Sequence, residues 1–348
     1  MIVGILLVAL SLTGSAGAGA TSNAEVEVDA SRATTGHASA LFEAGLTASL
    51  QADLAAALGL HADASARLID PIAVPDFVRG VLSASTGLEW RGDRWLAIGD
   101  ASYRAELITL YGSHRVAAVA AAQTKSGLRI SAELKEKQFP ALPLWSFGAY
   151  SLGARKQIES GATRATFGLA AQLDRGSTSL VLPTGAVQVL GEQAIARAGA
   201  VMLAGDATLT IDLLGRFATG GAVLSPERQP QRSDERDDED EDELAAGGFL
   251  LGAMHAEFSM PLAERFEIDA EAGARAKQYA LLLAGPLEIA PRFDALLSLR
   301  VAARYRVLPW LEAFVRATLA RRLSNDPSFE LLFARGIAGF EVRPDMTK

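Results

Sequence analysis

The 348-residue sequence contains no cysteine. That excludes a disulfide framework and any thiolate-based metal site. Beyond the N-terminal stretch there is no charge-free apolar run of the ~18 residues a membrane-spanning helix needs, so a helical membrane protein is excluded as well. Cations are not in surplus either: 33 Lys and Arg stand against 41 Asp and Glu, a net charge of −8. Nucleic acid is therefore not expected as a partner, because neutralising phosphates requires Lys and Arg in excess. Aromatic residues make up 7% of the chain and there are four histidines. Glycine is plentiful but forms no GxGxxG or GxxxxGK[ST] unit, so neither a nucleotide nor any other cofactor is expected.

The acidity is concentrated. Between Pro226 and Ala245 there are ten acidic residues and three arginines, which leaves the rest of the chain nearly neutral. The tract RSDERDDEDEDE (232–243) carries the carboxylates that hard divalent cations prefer. It lacks a loop spacing with a defining Gly and a terminal bidentate Glu, so no ordered metal site is expected. It reads as a self-repelling, disordered loop at about 225–246.

The N-terminus, MIVGILLVALSLTGSAGAGA, is apolar from Ile2 to Leu12 and then turns to small residues. Ala16-Gly17-Ala18 and Ala18-Gly19-Ala20 both fit a small-x-small cleavage site. Residues 1–20 read as a secretory signal, although no Lys or Arg precedes the apolar run.

What the rest of the chain does contain is a period of two. In RFEIDAEAGARAK (265–277), Phe266, Ile268, Ala270, Ala272, Ala274 and Ala276 alternate with Glu267, Asp269, Glu271, Arg275 and Lys277. Such alternation is a β-strand with one apolar and one charged face. The pattern returns at Ala40–Asp53, Arg94–Leu107, Leu128–Lys135 and Phe293–Val307. Alanine is a poor strand former, but the same windows fail the i, i+3, i+4 spacing of an amphipathic helix.

Segment length separates a soluble sheet from a membrane barrel. Soluble strands average about five to six residues, whereas a tilted membrane strand needs about 9 to 11. The alternation here persists for longer than either. Tight connections at WRGDRW (90–95), QTKSGL (123–128), MPLAERF (260–266) and VLPWLEAF (307–314) interleave with longer ones, the connectivity of an outer-membrane barrel.

The expected fold is all-β, a transmembrane antiparallel up-and-down barrel. Strands are expected near 24–34, 40–52, 56–68, 79–90, 94–110, 114–123, 127–138, 144–157, 161–174, 185–203, 206–218, 248–260, 265–280, 293–307, 311–322 and 330–343. That is about sixteen, with fourteen as the alternative. An even count puts both termini in the periplasm and the acidic insert outside the cell. Residues 21–348 then form one domain.

The turn Asp29-Ala-Ser-Arg-Ala-Thr34, the hairpin PLAERFEIDAEAG (261–273) and the closing GIAGFEVRP (336–344) resemble those of outer-membrane β-barrel proteins of Gram-negative bacteria, in particular a myxobacterial-type group of uncharacterised barrels. The resemblance implies outer-membrane lipid and lipopolysaccharide as surroundings and the barrel assembly machinery as partner. Porin analogy adds a homo-oligomer, a trimer, as an expectation. Two features depart from that pattern. The chain ends PDMTK rather than on an aromatic residue, and the girdle candidates are few: Trp90, Trp95, Tyr103, Tyr111, Trp145, Tyr150, Tyr279, Tyr305 and Trp310.

In a barrel the charged face lines a wet interior. The lumen-lining candidates are Glu267, Asp269, Glu271, Arg275 and Lys277, then Arg300, Arg304 and Arg306, then Glu312 and Arg316, then Arg335. Arginine rings set anion preference, and opposed basic and acidic walls create a transverse field. The plainer reading is a lattice of cross-strand ion pairs.

The histidines test for catalysis, which needs a base within hydrogen-bond reach of a nucleophile or water. His37 is near Ser39, His61 near Asp63, His114 beside Ser113, and His255 two residues from Glu257. Neighbours along a strand point to opposite faces, so Ser113 and His114 do not cooperate, and His61 with Asp63 is the best pair. None matches a known signature. The expectation is a non-enzymatic, porin-like passive channel for small hydrophilic solutes. The alternatives are a non-conducting structural barrel that anchors a periplasmic or surface complex, then a lipid-modifying barrel enzyme, then a soluble secreted β-sandwich.

Overall fold

A computed structural model describes residues 8–21, 39–72, 78–108, 111–140, 146–182, 185–219, 248–283, 291–325 and 330–343. Sixteen strands carry them: β1 (Val8–Thr21), β2 (Ser39–Ala55), β3 (Leu58–Pro71), β4 (Arg79–Arg91), β5 (Trp95–Ile108), β6 (Tyr111–Thr124), β7 (Leu128–Gln138) and β8 (Phe147–Ser160). The second half runs β9 (Thr163–Leu182), β10 (Gly185–Ala204), β11 (Ala207–Thr219), β12 (Phe249–Ala263), β13 (Phe266–Leu283), β14 (Pro291–Leu308), β15 (Leu311–Ser324) and β16 (Leu331–Val342). Every strand is antiparallel to its sequence neighbours, and β1 pairs with β16, closing the barrel. No helix occurs among the described residues.

The side chains are arranged as a membrane barrel requires. Leu152 is 68% exposed, Leu169 70% and Leu299 47%, whereas Glu271 is 8% and Lys277 2% exposed. Apolar residues point out and ionised ones point in, the reverse of a soluble sheet with a dry centre. At the rim carrying the short turns, Trp90, Trp95, Tyr305 and Trp310 stand about half exposed, where amphipathic rings meet a membrane–water interface. Tyr103 and Tyr150 also face outward. Tyr279 corrects the girdle reading. It shares the parity of Lys277, so its ring turns inward and is 2% exposed. The side chains of Tyr111 and Trp145 lie outside the described residues.

Fifteen of the sixteen strands fall where the alternation puts them, with ends moved by a few residues except in β9. That strand runs past its expected end at 174 to Leu182, through a stretch expected to be a connection. The first differs. Val8–Thr21 forms β1, whereas the segment 24–34 lies outside the described residues. The apolar stretch read as an export leader thus also supports a strand, because Leu10 and Leu12 alternate with Ser11, Thr13 and Ser15. β1 pairs with β2 over fourteen residues and with β16 over eight. Small residues make that seam close: a Cβ on Gly19 would meet the Gly336 backbone, and one on Gly339 would meet the Ala16 carbonyl. The acidic insert 225–246 lies outside the described residues.

Candidate functional site: the ionised lumen

Strand parity brings the charged candidates to the inner wall. On β13, the Glu271 carboxylate is 2.6 Å from the Arg300 guanidinium of β14 and 2.7 Å from His255 Nε2 of β12. Asp269 pairs with Arg304 at 3.4 Å, and Glu267 accepts a hydrogen bond from the Ser259 hydroxyl at 2.9 Å. Arg306 and Glu312 stand 3.7 Å apart near the short-turn rim, where Arg343 also reaches Glu312 at 3.5 Å. Lys277 lies over the rings of Phe249 and Tyr279, at 4.2 and 4.6 Å from their centroids. Such contacts hold a desolvated ammonium against the quadrupole of the ring face.

Arg316 and Arg335 converge on a residue that the sequence did not single out for the lumen. Glu43 of β2 is 3.1 Å from Arg67, 3.9 Å from Arg316, and paired with Arg335. The signal for Glu43 was its odd parity among the apolar residues of 40–52. What concealed it was sequence distance, since closure alone brings β2 near β16. A second pair, Arg79 with Glu106, closes the wall between β4 and β5. Beside these ions, Leu41, Ile69 and Ile337 also turn inward and pack against Phe314.

The β5–β10 wall, outside the strands chosen from sequence, is rich in cations. A cavity of about 600 Å³ inside the barrel is lined there by Arg115, Lys135, Arg155, Arg164 and Arg197, with Arg275 on the facing strand. Among these, Lys135 pairs with Glu133 at 3.2 Å and Arg164 with Glu159 at 2.9 Å.

The histidines form no nucleophile–base constellation among the described residues. His61 lies 3.0 Å from Asp100 on β5, reaching across β4 because Gly87 between them has no side chain. Asp63, its expected partner, instead faces Ser85 at 3.5 Å. His114 turns to the outer wall and meets the Tyr103 hydroxyl at 2.8 Å, while Ser113 is buried on the inner face. His37 lies outside the described residues. No cluster of three or more metal-ligating side chains occurs among the described residues.

No protein-family model matches the chain, and no curated protein is similar to it in sequence. Solved structures are similar in fold. An anion-selective porin from Comamonas acidovorans superposes with a TM-score of 0.50 at 9% identity, covering 97% of this chain and 100% of that one. The Acinetobacter baumannii protein OccAB1 gives a TM-score of 0.50 at 8% identity, with 97% of each chain covered. At such identities the likeness is one of architecture, a closed antiparallel outer-membrane barrel.

Proposed function

We propose that this chain is a porin-like passive channel for small hydrophilic solutes in the bacterial outer membrane. The observation that supports it is the wall's inverted polarity, with Leu152, Leu169 and Leu299 outside and Glu271, Arg300 and Asp269 inside a sixteen-strand cylinder. A barrel of that size encloses a bore wide enough for water. An inner wall of ionised groups holds that water against the low dielectric of the surrounding lipid. In this reading the short turns and both termini face the periplasm, and the long connections, with the acidic insert, face outward. The surroundings are outer-membrane lipid and lipopolysaccharide, insertion uses the barrel assembly machinery, and a trimer is the expected oligomer. No catalytic role is proposed.

The test is conductance. The full chain, extracted from outer-membrane fractions with detergent and reconstituted in planar bilayers, is expected to give discrete single-channel steps in potassium chloride. A silent bilayer at every voltage ends the channel reading. The inward-facing Leu41, Ile69 and Ile337 favour one alternative, a constricted structural barrel that anchors a complex at the membrane. That alternative predicts silence together with a stably co-purifying partner.

A further inference from the structure

Hydrogen-bond registers combine into rows that run around the wall, and one of these rows is basic from end to end. Starting at Arg91 of β4, the paired positions lead through β5 and β6 to Arg129 of β7 and Arg155 of β8. They continue through Gly168 of β9 to Arg197 of β10, then through β11 and β12 to Arg275 of β13, and through β14 to Arg322 of β15. No position between these arginines is acidic. Because strands in a barrel are tilted and staggered, the row climbs. Arg91 is the last residue of β4 at the short-turn rim, and Arg322 lies near the opposite end of β15.

Like charges placed directly opposite destabilise a sheet. Arg129 and Arg155 are such a pair, and Arg155 feels the positive charges of both Arg129 and Arg197. Neither Arg129 nor Arg155 has a carboxylate within ion-pair distance among the described residues. Asp212 stands one row away, and Glu133, two rows away, is engaged by Lys135. Arg129 and Arg155 keep this repulsion and have an unfilled demand for negative charge, whereas Arg91 at the rim is paired with Glu89 at 2.5 Å and Asp53 at 3.5 Å. Adjacent strands are about 4.8 Å apart, so Arg129, Arg155 and Arg197 span roughly 14 Å over three strand steps. Guanidinium forks bind oxyanions bidentately, with geometry that a lysine lacks.

We propose that this arginine row is a binding track for small multivalent oxyanions, with its seat at Arg129 and Arg155. The inference rests on the channel reading above and names its solute class. It differs from general anion attraction in being confined to one hydrogen-bond row of the wall.

The test reads binding apart from conduction. Full-length barrel in detergent at low ionic strength is titrated calorimetrically with inorganic pyrophosphate. The wild type is expected to bind, and Arg155→Gln and Arg129→Gln to bind about tenfold more weakly or worse, the equivalent of one lost charge-assisted contact. Arg265→Gln, an equal change of charge in the β12–β13 turn, is expected to bind as the wild type does. Heat-modifiable gel migration confirms that each variant is folded, and both lumen variants relieve repulsion and should fold. Absence of pyrophosphate binding by the wild type, or equal loss in all three variants, overturns the track. A barrel that conducts without binding pyrophosphate sinks the track alone. One that binds in this pattern but never conducts keeps the site and ends the channel reading.

Discussion

Glu43 on β2 and Arg335 on β16 form an ion pair although 292 residues separate them in sequence. Both strands flank β1, and the pair reaches over it: in register Glu43 stands opposite Gly17 and Arg335 opposite Thr21. Arg67 and Arg316 join the same carboxylate from either side. One anion thus neutralises guanidiniums from three strands at the place where the cylinder shuts.

Glu43→Gln leaves those arginines without their shared anion. Arg335 has only 4% of its side chain exposed, so it cannot recover full hydration. Losing one partner of a buried pair costs about 3–5 kcal/mol. The variant should unfold at a clearly lower urea concentration, read from gel mobility. Glu43→Gln combined with Arg335→Met should regain part of that loss, and a double variant no more stable than the single would refute the pairing energetics.

The polarity of the wall can be tested at two adjacent residues. Leu299 faces out and Ser298 faces in, on the same strand. Leu299→Arg should cost about 2–4 kcal/mol if it meets the middle of the bilayer. Ser298→Arg, entering a wet interior, should cost far less. Equal penalties in refolding titrations would mean that the outer wall does not meet lipid.

Gly87 is required for the contact between His61 and Asp100. A Cβ there would collide with both side chains. Gly87→Ala should displace them and cost about 1–3 kcal/mol, the usual range for overpacking. The loss should show in the unfolding midpoint while the barrel's circular dichroism stays β-type. An unchanged midpoint would mean that the pair moves aside freely.

Cleavage at either small-x-small site would leave a mature chain beginning at Gly19 or Thr21, and would remove nearly all of the strand Val8–Thr21 that closes the sixteen-strand barrel. The intact mass of protein taken from membranes checks this directly. A mature mass that includes residue 8 would instead leave Val8–Thr21 as the native closing strand.

The sequence determined the positions of fifteen strands and the assignment of their residues to the two faces, because a period of two is fixed by backbone pleating and needs no neighbour. The count of sixteen is completed by Val8–Thr21 rather than by the expected 24–34. The period of two is why Glu271, Arg275 and Arg300 were legible as one charged surface. It did not separate a leader from a strand at residues 8–21, since apolar, small and hydroxyl residues satisfy both patterns. Nor did it reach Glu43 with Arg335, or the line from Arg91 to Arg322. Those depend on how far each strand slides against the next. The offsets add up around a closed cylinder, so residues remote in sequence become neighbours only when register and closure are set together.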